Sequence, residues 1–287
     1  MKSKKIILCP NTGRDVGFDM TRKTVEIFRK HGRTTVVCPV FEEDFGSVPE
    51  EFPSSVLERE LSNAEAIITF GGDGTILRTA RAAAGSDVPI LGVNMGGKGF
   101  LAELETGDIE MVERLADGGY RLERRMMLDI ELSRDGKTVY RDFALNDAVI
   151  NGFNKIIELT LFGDGQRISR FSGDGAVVAT PTGSTAYSLS AGGPIVEPAA
   201  YNIIVTPICA HILEAKPVVL APDRHVSIEI GSKKINPAYM SVDGCESVAI
   251  QSGDIINVSK SEKYTYFARL SDRSFYTMVN EKLGGKV

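Results

Sequence analysis

Three stretches of the chain gather residues able to do chemistry. In Ile67-Ile68-Thr69-Phe70-Gly71-Gly72-Asp73-Gly74-Thr75-Ile76-Leu77-Arg78, an apolar strand runs into three glycines around one carboxylate and then into a helix. Glycines let backbone N–H groups approach a phosphate without Cβ clash, and the helix N-terminus behind them favours anions. A pure phosphate cradle has no use for a carboxylate, so Asp73 needs a role of its own, either accepting a proton from a hydroxyl being phosphorylated or helping to hold a metal. Arg78, one turn into the helix, is placed to face phosphate oxygens. Read only as architecture, the same stretch is a tight turn with Asp73 as a helix cap.

The second stretch runs from Ser172-Gly173-Asp174-Gly175 through an apolar strand, Ala176 to Ala179, into Thr180-Pro181-Thr182-Gly183-Ser184-Thr185-Ala186-Tyr187-Ser188-Leu189-Ser190. Gly192-Gly193-Pro194 then closes a short helix. So many small hydroxyls at a strand end suit a ribose, an adenine edge or a phosphate, although Ser and Thr also cap helices. The third, Ala144-Leu145-Asn146-Asp147-Ala148-Val149-Ile150, sets an amide beside a carboxylate in an apolar segment. Such a pair can hold a vicinal diol, or simply satisfy a turn.

Other motifs are discounted. Gly92-Val93-Asn94-Met95-Gly96-Gly97-Lys98-Gly99 falls short of a P-loop because Gly99 stands where the magnesium-binding Ser or Thr belongs. Gly97-Lys98-Gly99-Phe100-Leu101-Ala102 matches a dinucleotide fingerprint but follows the fourth strand, not the first. The histidines, His31, His211 and His225, are too dispersed for a metal site. Arg121, Arg124 and Arg125 read as a solvated strand face.

The elements that must position these groups fall into two textures. Up to about residue 105, short apolar runs alternate with helical stretches: Lys5–Cys9, Thr34–Val37, Ala66–Phe70 and Pro89–Asn94 read as strands, implying crossovers and a parallel, Rossmann-like sheet. Met20, Thr24, Ile27 and Phe28 keep helical spacing, 41–55 reads as a loop, and Ile109 to Ala116 as a last helix. From Tyr120 the chain turns to short strands. Asp135-Gly136 and Gly163-Asp164-Gly165 mark two hairpins, and the whole suggests two packed sheets. The tail Phe275–Leu283 has apolar residues at helical spacing and too few residues for a domain, so it should pack back on one unit. The expected organisation is an α/β N-terminal domain, residues 1–105 with 272–287, and a β-rich, sandwich-like C-terminal domain, 106–271.

Composition narrows the class. At 287 residues and 43% hydrophobic, the chain has core enough for about two domains. Its 33 Lys+Arg against 38 Asp+Glu leave a net charge of -5, which argues against a sequence-independent nucleic-acid binder. Cys9, Cys38, Cys209 and Cys245 form no CxxC pair, so neither a zinc module nor a disulfide framework is expected and a reducing, cytoplasmic setting fits. Met1 to Lys5 carries the charges of a signal n-region, but only Ile6-Ile7-Leu8 follows before Cys9-Pro10, so no signal peptide and no membrane partner are expected.

Taken in order, these motifs resemble the NAD kinase family, which phosphorylates the adenosine-ribose 2′-hydroxyl of NAD to make NADP. The resemblance covers most of the sequence and rests on Gly71-Gly72-Asp73-Gly74-Thr75, Asn94 through Leu101, Asn146-Asp147, and Asp174 through Ser190. Lipid kinases and phosphofructokinases look similar at the first motif; Thr182-Gly183-Ser184-Thr185-Ala186-Tyr187 is what selects NAD kinase. The resemblance implies that Asp73 is the proton acceptor and that Gly74 and Arg78 help form the nucleotide site. It implies that Asn146 and Asp147 hold the adenosine ribose, and that Asp174, Thr185, Ala186, Tyr187, Ser188, Leu189 and Ser190 complete the NAD pocket. It further implies ATP or polyphosphate as donor, Mg2+ or another divalent cation held mostly by phosphates and water, and a homodimer or homotetramer whose neighbouring subunit contributes to the pocket. It implies the same α/β and β-rich domain pair, with the C-terminal tail returning to the first domain. Three positions depart from the family pattern: Lys98 for Leu, Ala210 for Pro, and Cys245 after Asp243-Gly244 for Gln. Two rivals remain. A lipid or sugar kinase would share the first motif without needing an adenosine pocket, and a non-catalytic NAD-binding sensor would make Asp73 dispensable.

Overall fold

A computed structural model describes residues 4–97, 99–211, 215–231 and 237–284, so Lys98 and the departure noted there lie outside the described residues. The chain divides into two compact units, Met1–Arg124 with Thr265–Val287, and Arg125–Tyr264. The texture of the sequence puts the breaks at 105/106 and 271/272. The chain in fact crosses within two long strands, β6 (Arg121–Arg134) and β17 (Ile255–Arg269), where no linker marks the passage.

In the first unit β1 (Lys5–Pro10), β2 (Thr35–Val37), β3 (Ala64–Gly71) and β4 (Ile90–Asn94) run parallel in the order β2-β1-β3-β4, with β5 (Leu104–Glu105) beside β4. Helices α1 (Asp19–Lys30), α2 (Leu57–Glu60), α3 (Asp73–Ala82) and α4 (Glu113–Ala116) complete it. Parallel strands covered on both faces need near-continuous apolar runs, and every residue of β4 and all but Glu65 of β3 is buried. Thr21, Thr24, Ile27 and Phe28 form the buried stripe of α1, whose first turn is satisfied by the Asp15 carboxylate accepting the Met20 and Thr21 N–H groups at 2.9 and 3.0 Å. The helix expected over 109–116 is mostly a 3-10 segment, Thr106–Val112, widening into the single α turn of α4 before Gly118 at φ 71.

Among the described residues the second unit is β, apart from α5 (Tyr187–Ser190) and short 3-10 turns. Asp135 at φ 50 and Gly136 at φ 72 turn β6 into β7 (Lys137–Ala144); Asp164 at φ 50 and Gly165 at φ 76 turn β9 (Ile157–Gly163) into β10 (Gln166–Gly173). One sheet continues β10-β9 through β14 (Val226–Ile230) to β17. The other has six strands: β13 (Val218–Leu220), β12 (Ile203–Ile208), β11 (Gly175–Ala179), β8 (Asp147–Gly152), β15 (Ala238–Val242) and β16 (Val248–Ile250), in that order. Leu128, Leu159 and Ile228 of the first sheet and Ile150, Val178 and Met240 of the second are buried in one apolar core, the two-sheet packing expected from the turn spacing.

The C-terminal tail belongs to the first unit. Its helix α6 (Phe275–Leu283), capped by the Ser274 hydroxyl accepting the Thr277 N–H at 3.1 Å, has no fully buried residue; Phe275, Met278 and Val279 are half-buried, and Tyr276 and Leu283 are exposed. A buried carboxylate holds the approach. Glu103 accepts the N–H groups of Leu270 and Ser271 at 3.0 and 2.8 Å and the Ser271 hydroxyl at 2.7 Å, and pairs with Arg269 at 3.3 Å. Among the described residues no helix is long and apolar enough to cross a membrane.

Candidate functional site

The first unit carries the first group of candidate residues. Buried β3 delivers the chain to Gly72, and α3 begins at Asp73. The Asp73 side chain does not cap its own helix; Oδ2 accepts the Phe100 N–H at 2.8 Å and Oδ1 the Leu101 N–H at 3.2 Å, which fixes the carboxylate against the loop after β4. That approach requires Gly99, since a Cβ there would stand 2.6 Å from Asp73 Oδ1. The loop is held in turn by Asn94, whose Nδ2 donates to the Gly97 carbonyl at 3.1 Å and to Glu105 Oε2 at 2.8 Å. Burial pushes the Asp73 carboxyl above its ordinary range, against the Phe100 and Leu101 N–H groups and the charge of Lys282, which favour ionisation. A carboxylate has about four lone-pair sites and two are occupied here, so it can still accept a proton.

Gly74 is exposed and has nothing within 4 Å of where a Cβ would be, so packing does not demand glycine there and the backbone is open to an incoming group. Arg78 is exposed, with its guanidinium 4.8 Å from the centre of the Phe41 ring. Gly92 sits inside β4, where a Cβ would meet Ile76 at 2.6 Å, and so serves packing rather than a phosphate loop.

The second unit carries the other group. Asn146 and Asp147, both buried, are organised by Asp243, which no motif in the sequence marks as a site residue. Asp243, left-handed at φ 48, accepts the N–H groups of Leu145, Asn146 and Asp147 at 2.7, 2.8 and 3.0 Å and returns its own N–H to the Asp147 carbonyl at 2.9 Å. Asp-Gly after a strand reads as a turn, so the sequence offered only the turn as a signal. Burial first, and the Asp243 charge second, push the Asp147 carboxyl up to about 7. Asn146 Oδ1 is buried and meets no donor among the described residues. A free acceptor beside a carboxyl poised between its two states suits a ligand that brings hydroxyl donors.

The hydroxyl-rich stretch mostly supports itself. Thr180 Oγ1 donates to the Leu145 carbonyl at 2.6 Å and accepts the Gly183 N–H at 3.1 Å. Thr182 accepts from buried Arg125 at 3.1 Å, Ser184 donates to the Pro181 carbonyl at 2.6 Å, and Ser188 lies 2.9 Å from Thr206 Oγ1. Gly183 lies so near the Asn146 carbonyl, 2.2 Å from an added Cβ, that only glycine fits. Ser188 is therefore internal, Thr185, Ala186 and Leu189 are half-buried, and Tyr187 and Ser190 are exposed. Tyr187 and Asp174 line one surface cavity of about 340 Å³ with Asn151, Asn154, Lys155 and Ile208. The Cys209 thiol bonds to the Asp174 carboxylate, and that bond holds its pKa above the ordinary thiol range.

Among the described residues no three His, Cys, Asp or Glu side chains converge as a metal site, and both Asp73 oxygens are already engaged by N–H groups.

The ATP-NAD kinase N-terminal domain model matches residues 11–120 and the C-terminal domain model residues 145–270. The NAD kinase of Ruminiclostridium cellulolyticum is 39% identical over 283 residues, 98% of each chain, and that of Acetivibrio thermocellus 36% identical over 97% of this chain and 96% of the relative. Among solved structures, yeast NADH kinase complexed with NADH is similar with a TM-score of 0.85 at 26% identity, over 98% of this chain and 87% of that one. An NAD kinase from Archaeoglobus fulgidus in complex with ATP gives 0.75 at 25%, over 97% and 98%. Both halves of the chain thus match in order and over nearly their full length, and the protein belongs to the NAD kinase family.

Proposed function

We propose that the protein transfers the γ-phosphoryl group of magnesium-bound ATP to the adenosine-ribose 2′-hydroxyl of NAD, with Asp73 as proton acceptor. The first unit supplies the phosphoryl-transfer groups, Asp73, Gly74 and Arg78. The second supplies NAD recognition: Asn146 and Asp147 for the ribose hydroxyls, and Asp174, Thr185, Ala186, Tyr187, Leu189 and Ser190 for the rest of the dinucleotide, with Ser188 holding the short helix from beneath. The metal ion arrives on ATP as part of the substrate, and the enzyme works in the cytoplasm as a homodimer or homotetramer, an assembly that light scattering would size.

The observation that carries the reading is the Asp73 carboxylate, oriented by two backbone N–H groups and made more basic by burial. A ribose hydroxyl is barely ionised at neutral pH and a carboxylate is a weak base, so the proton moves late. The 2′-oxygen forms its bond to the γ-phosphorus as the bond to the bridging oxygen breaks, ADP leaves, and the hydroxyl proton passes to Asp73 and then to solvent. The N–H groups of the glycine turn stabilise charge on the transferred phosphoryl group. Relatives support the substrates: one solved neighbour is complexed with NADH and another with ATP.

The test is substrate discrimination. NAD lacking the adenosine-ribose 2′-hydroxyl should bind but yield no phosphorylated product, whereas NAD gives NADP. Phosphorylation of the deoxy analogue, or of diacylglycerol in place of NAD, would overturn the assignment.

A further inference from the structure

Resting on the reading of Asn146 and Asp147 as the ribose-binding pair, we propose that Thr180 and Asp243 are positioning residues of NAD recognition, which together fix that pair and lock it in register with the loop 182–187. Neither residue has to touch the dinucleotide itself.

Residues 145–147 lie where β8 begins, between the ends of its antiparallel neighbours β11 and β15. Ladder pairing stops at Asp147 opposite Ala179 and at Ala148 opposite Val242, so the backbone groups at this strand end need other partners. Thr180 and Asp243, the residues just past those two strands, supply them. Asp243 Oδ2 accepts the Leu145 N–H, its Oδ1 accepts the N–H groups of Asn146 and Asp147, and its own N–H donates to the Asp147 carbonyl. Thr180 donates its N–H to the Asn146 carbonyl at 2.8 Å and its hydroxyl to the Leu145 carbonyl at 2.6 Å. Every backbone N–H and C=O group of residues 145–147 is thus engaged. The same Thr180 hydroxyl, fully buried, accepts the Gly183 N–H at 3.1 Å, and Gly183 is packed against the Asn146 carbonyl. One hydroxyl therefore joins the ribose pair to the loop that leads to Thr185 and Tyr187.

What this clamp leaves over points to a ligand. Asn146 is only 8% exposed, and its Oδ1 meets no donor among the described residues. No N–H of its own segment remains to turn toward that oxygen, because Asp243 holds them all. A buried acceptor held without a partner costs stability, and a hydroxyl donor brought by a ligand removes that cost. Asp243 is itself a choice against stability. It is left-handed at φ 48, a conformation that asparagine also adopts, yet it sets a second carboxylate against buried Asp147. Only a carboxylate offers two acceptor oxygens to three neighbouring N–H groups. The return is a segment already ordered before NAD arrives, so that binding does not have to immobilise the acceptors. With the clamp loosened, Asn146 and Asp147 can turn toward other partners, and NAD must order them as it binds.

The experiment measures NAD and ATP affinity by titration calorimetry, and melting temperature, for the full chain and for Thr180→Val, Thr180→Ser, Asp243→Asn and Asn146→Ala. Valine keeps the volume and the backbone N–H of Thr180 but removes the hydroxyl, which serine restores. Asparagine keeps the shape of Asp243 and loses one acceptor. NAD should bind roughly 10–100-fold more weakly to Thr180→Val and Asp243→Asn, with Thr180→Ser close to wild type and ATP affinity within about twofold throughout. A merely structural pair would lower the melting temperature with both affinities unchanged, or weaken NAD and ATP alike; either result overturns the proposal. Wild-type NAD affinity in one clamp variant removes that residue from the clamp, and if Thr180→Val does not fold, Asp243→Asn decides. Unchanged NAD affinity in Asn146→Ala would overturn the ribose assignment and this proposal with it. Weakened binding in Asn146→Ala beside wild-type binding in both clamp variants would reject the clamp alone.

Discussion

Replacing Asp147 with Asn tests the electrostatics of the second unit through stability alone. Asp147 is 5% exposed and titrates near 7 in the fold, chiefly through burial and then through Asp243. Unfolded, it should titrate near ~3.9, so the two states differ by about three units, an upper limit of about 4 kcal/mol. The folded pKa is the higher one, so between about pH 4 and 7 the native state binds more protons than the unfolded chain. Stability from this group is therefore greatest at acid pH, declines as pH rises through that window, and is lost above about 7. Asparagine cannot ionise and occupies nearly the same volume. Asp147→Asn should gain about 1–3 kcal/mol over wild type at pH 8 and only about a quarter of that near pH 4.5, less than the limit because the amide also changes local hydrogen bonding. Urea unfolding of both proteins across this range, read as the difference between them, removes the contributions of all other groups. A difference that stays constant from pH 4.5 to 8, or a variant less stable at pH 8, would rule out a carboxyl raised by burial.

Two further substitutions probe the site directly. Gly99→Ala would set a Cβ 2.6 Å from Asp73 Oδ1, so the loop or the carboxylate must shift; turnover should fall roughly 10–100-fold with only a small change in melting temperature, as calorimetry and steady-state rates would report. Tyr187→Ala, at the cavity shared with Asp174, should weaken NAD binding more than ATP binding in titration calorimetry, and unchanged NAD affinity would remove the dinucleotide from that surface.

Much of this was legible where a local pattern has a single physical solution. Asp135-Gly136 and Gly163-Asp164-Gly165 supply the left-handed residues that tight hairpins require, and the apolar runs before Asn94 and Gly71 suit only covered parallel strands. The Asp73 turn was legible for the same reason, although the partners of its carboxylate were not: Phe100 lies 27 residues on. Asp243 shows the limit more sharply. It reaches Leu145 across 98 residues, and its own neighbourhood reads only as a turn. The hydroxyls of Thr180, Thr182, Ser184 and Ser188 were visible in the sequence, but only the three-dimensional arrangement separates those that bond within the protein from those left at the surface. Likewise, the apolar spacing of α6 marked Phe275, Met278 and Val279, which are half-buried, but not the polar contacts that Glu103 makes to Leu270 and Ser271 at the entry to the tail.

Whether Asp73 accepts the proton during phosphoryl transfer is decided by the turnover of Asp73→Asn at saturating NAD and ATP across a magnesium titration, alongside NAD affinity. The amide can keep one N–H acceptor while losing the negative charge. Turnover should fall by roughly 10²–10⁴ at every magnesium concentration, with NAD affinity nearly unchanged, the pattern of an interaction made mainly in the transition state. Near-wild-type turnover, or activity recovered by added magnesium, would contradict it.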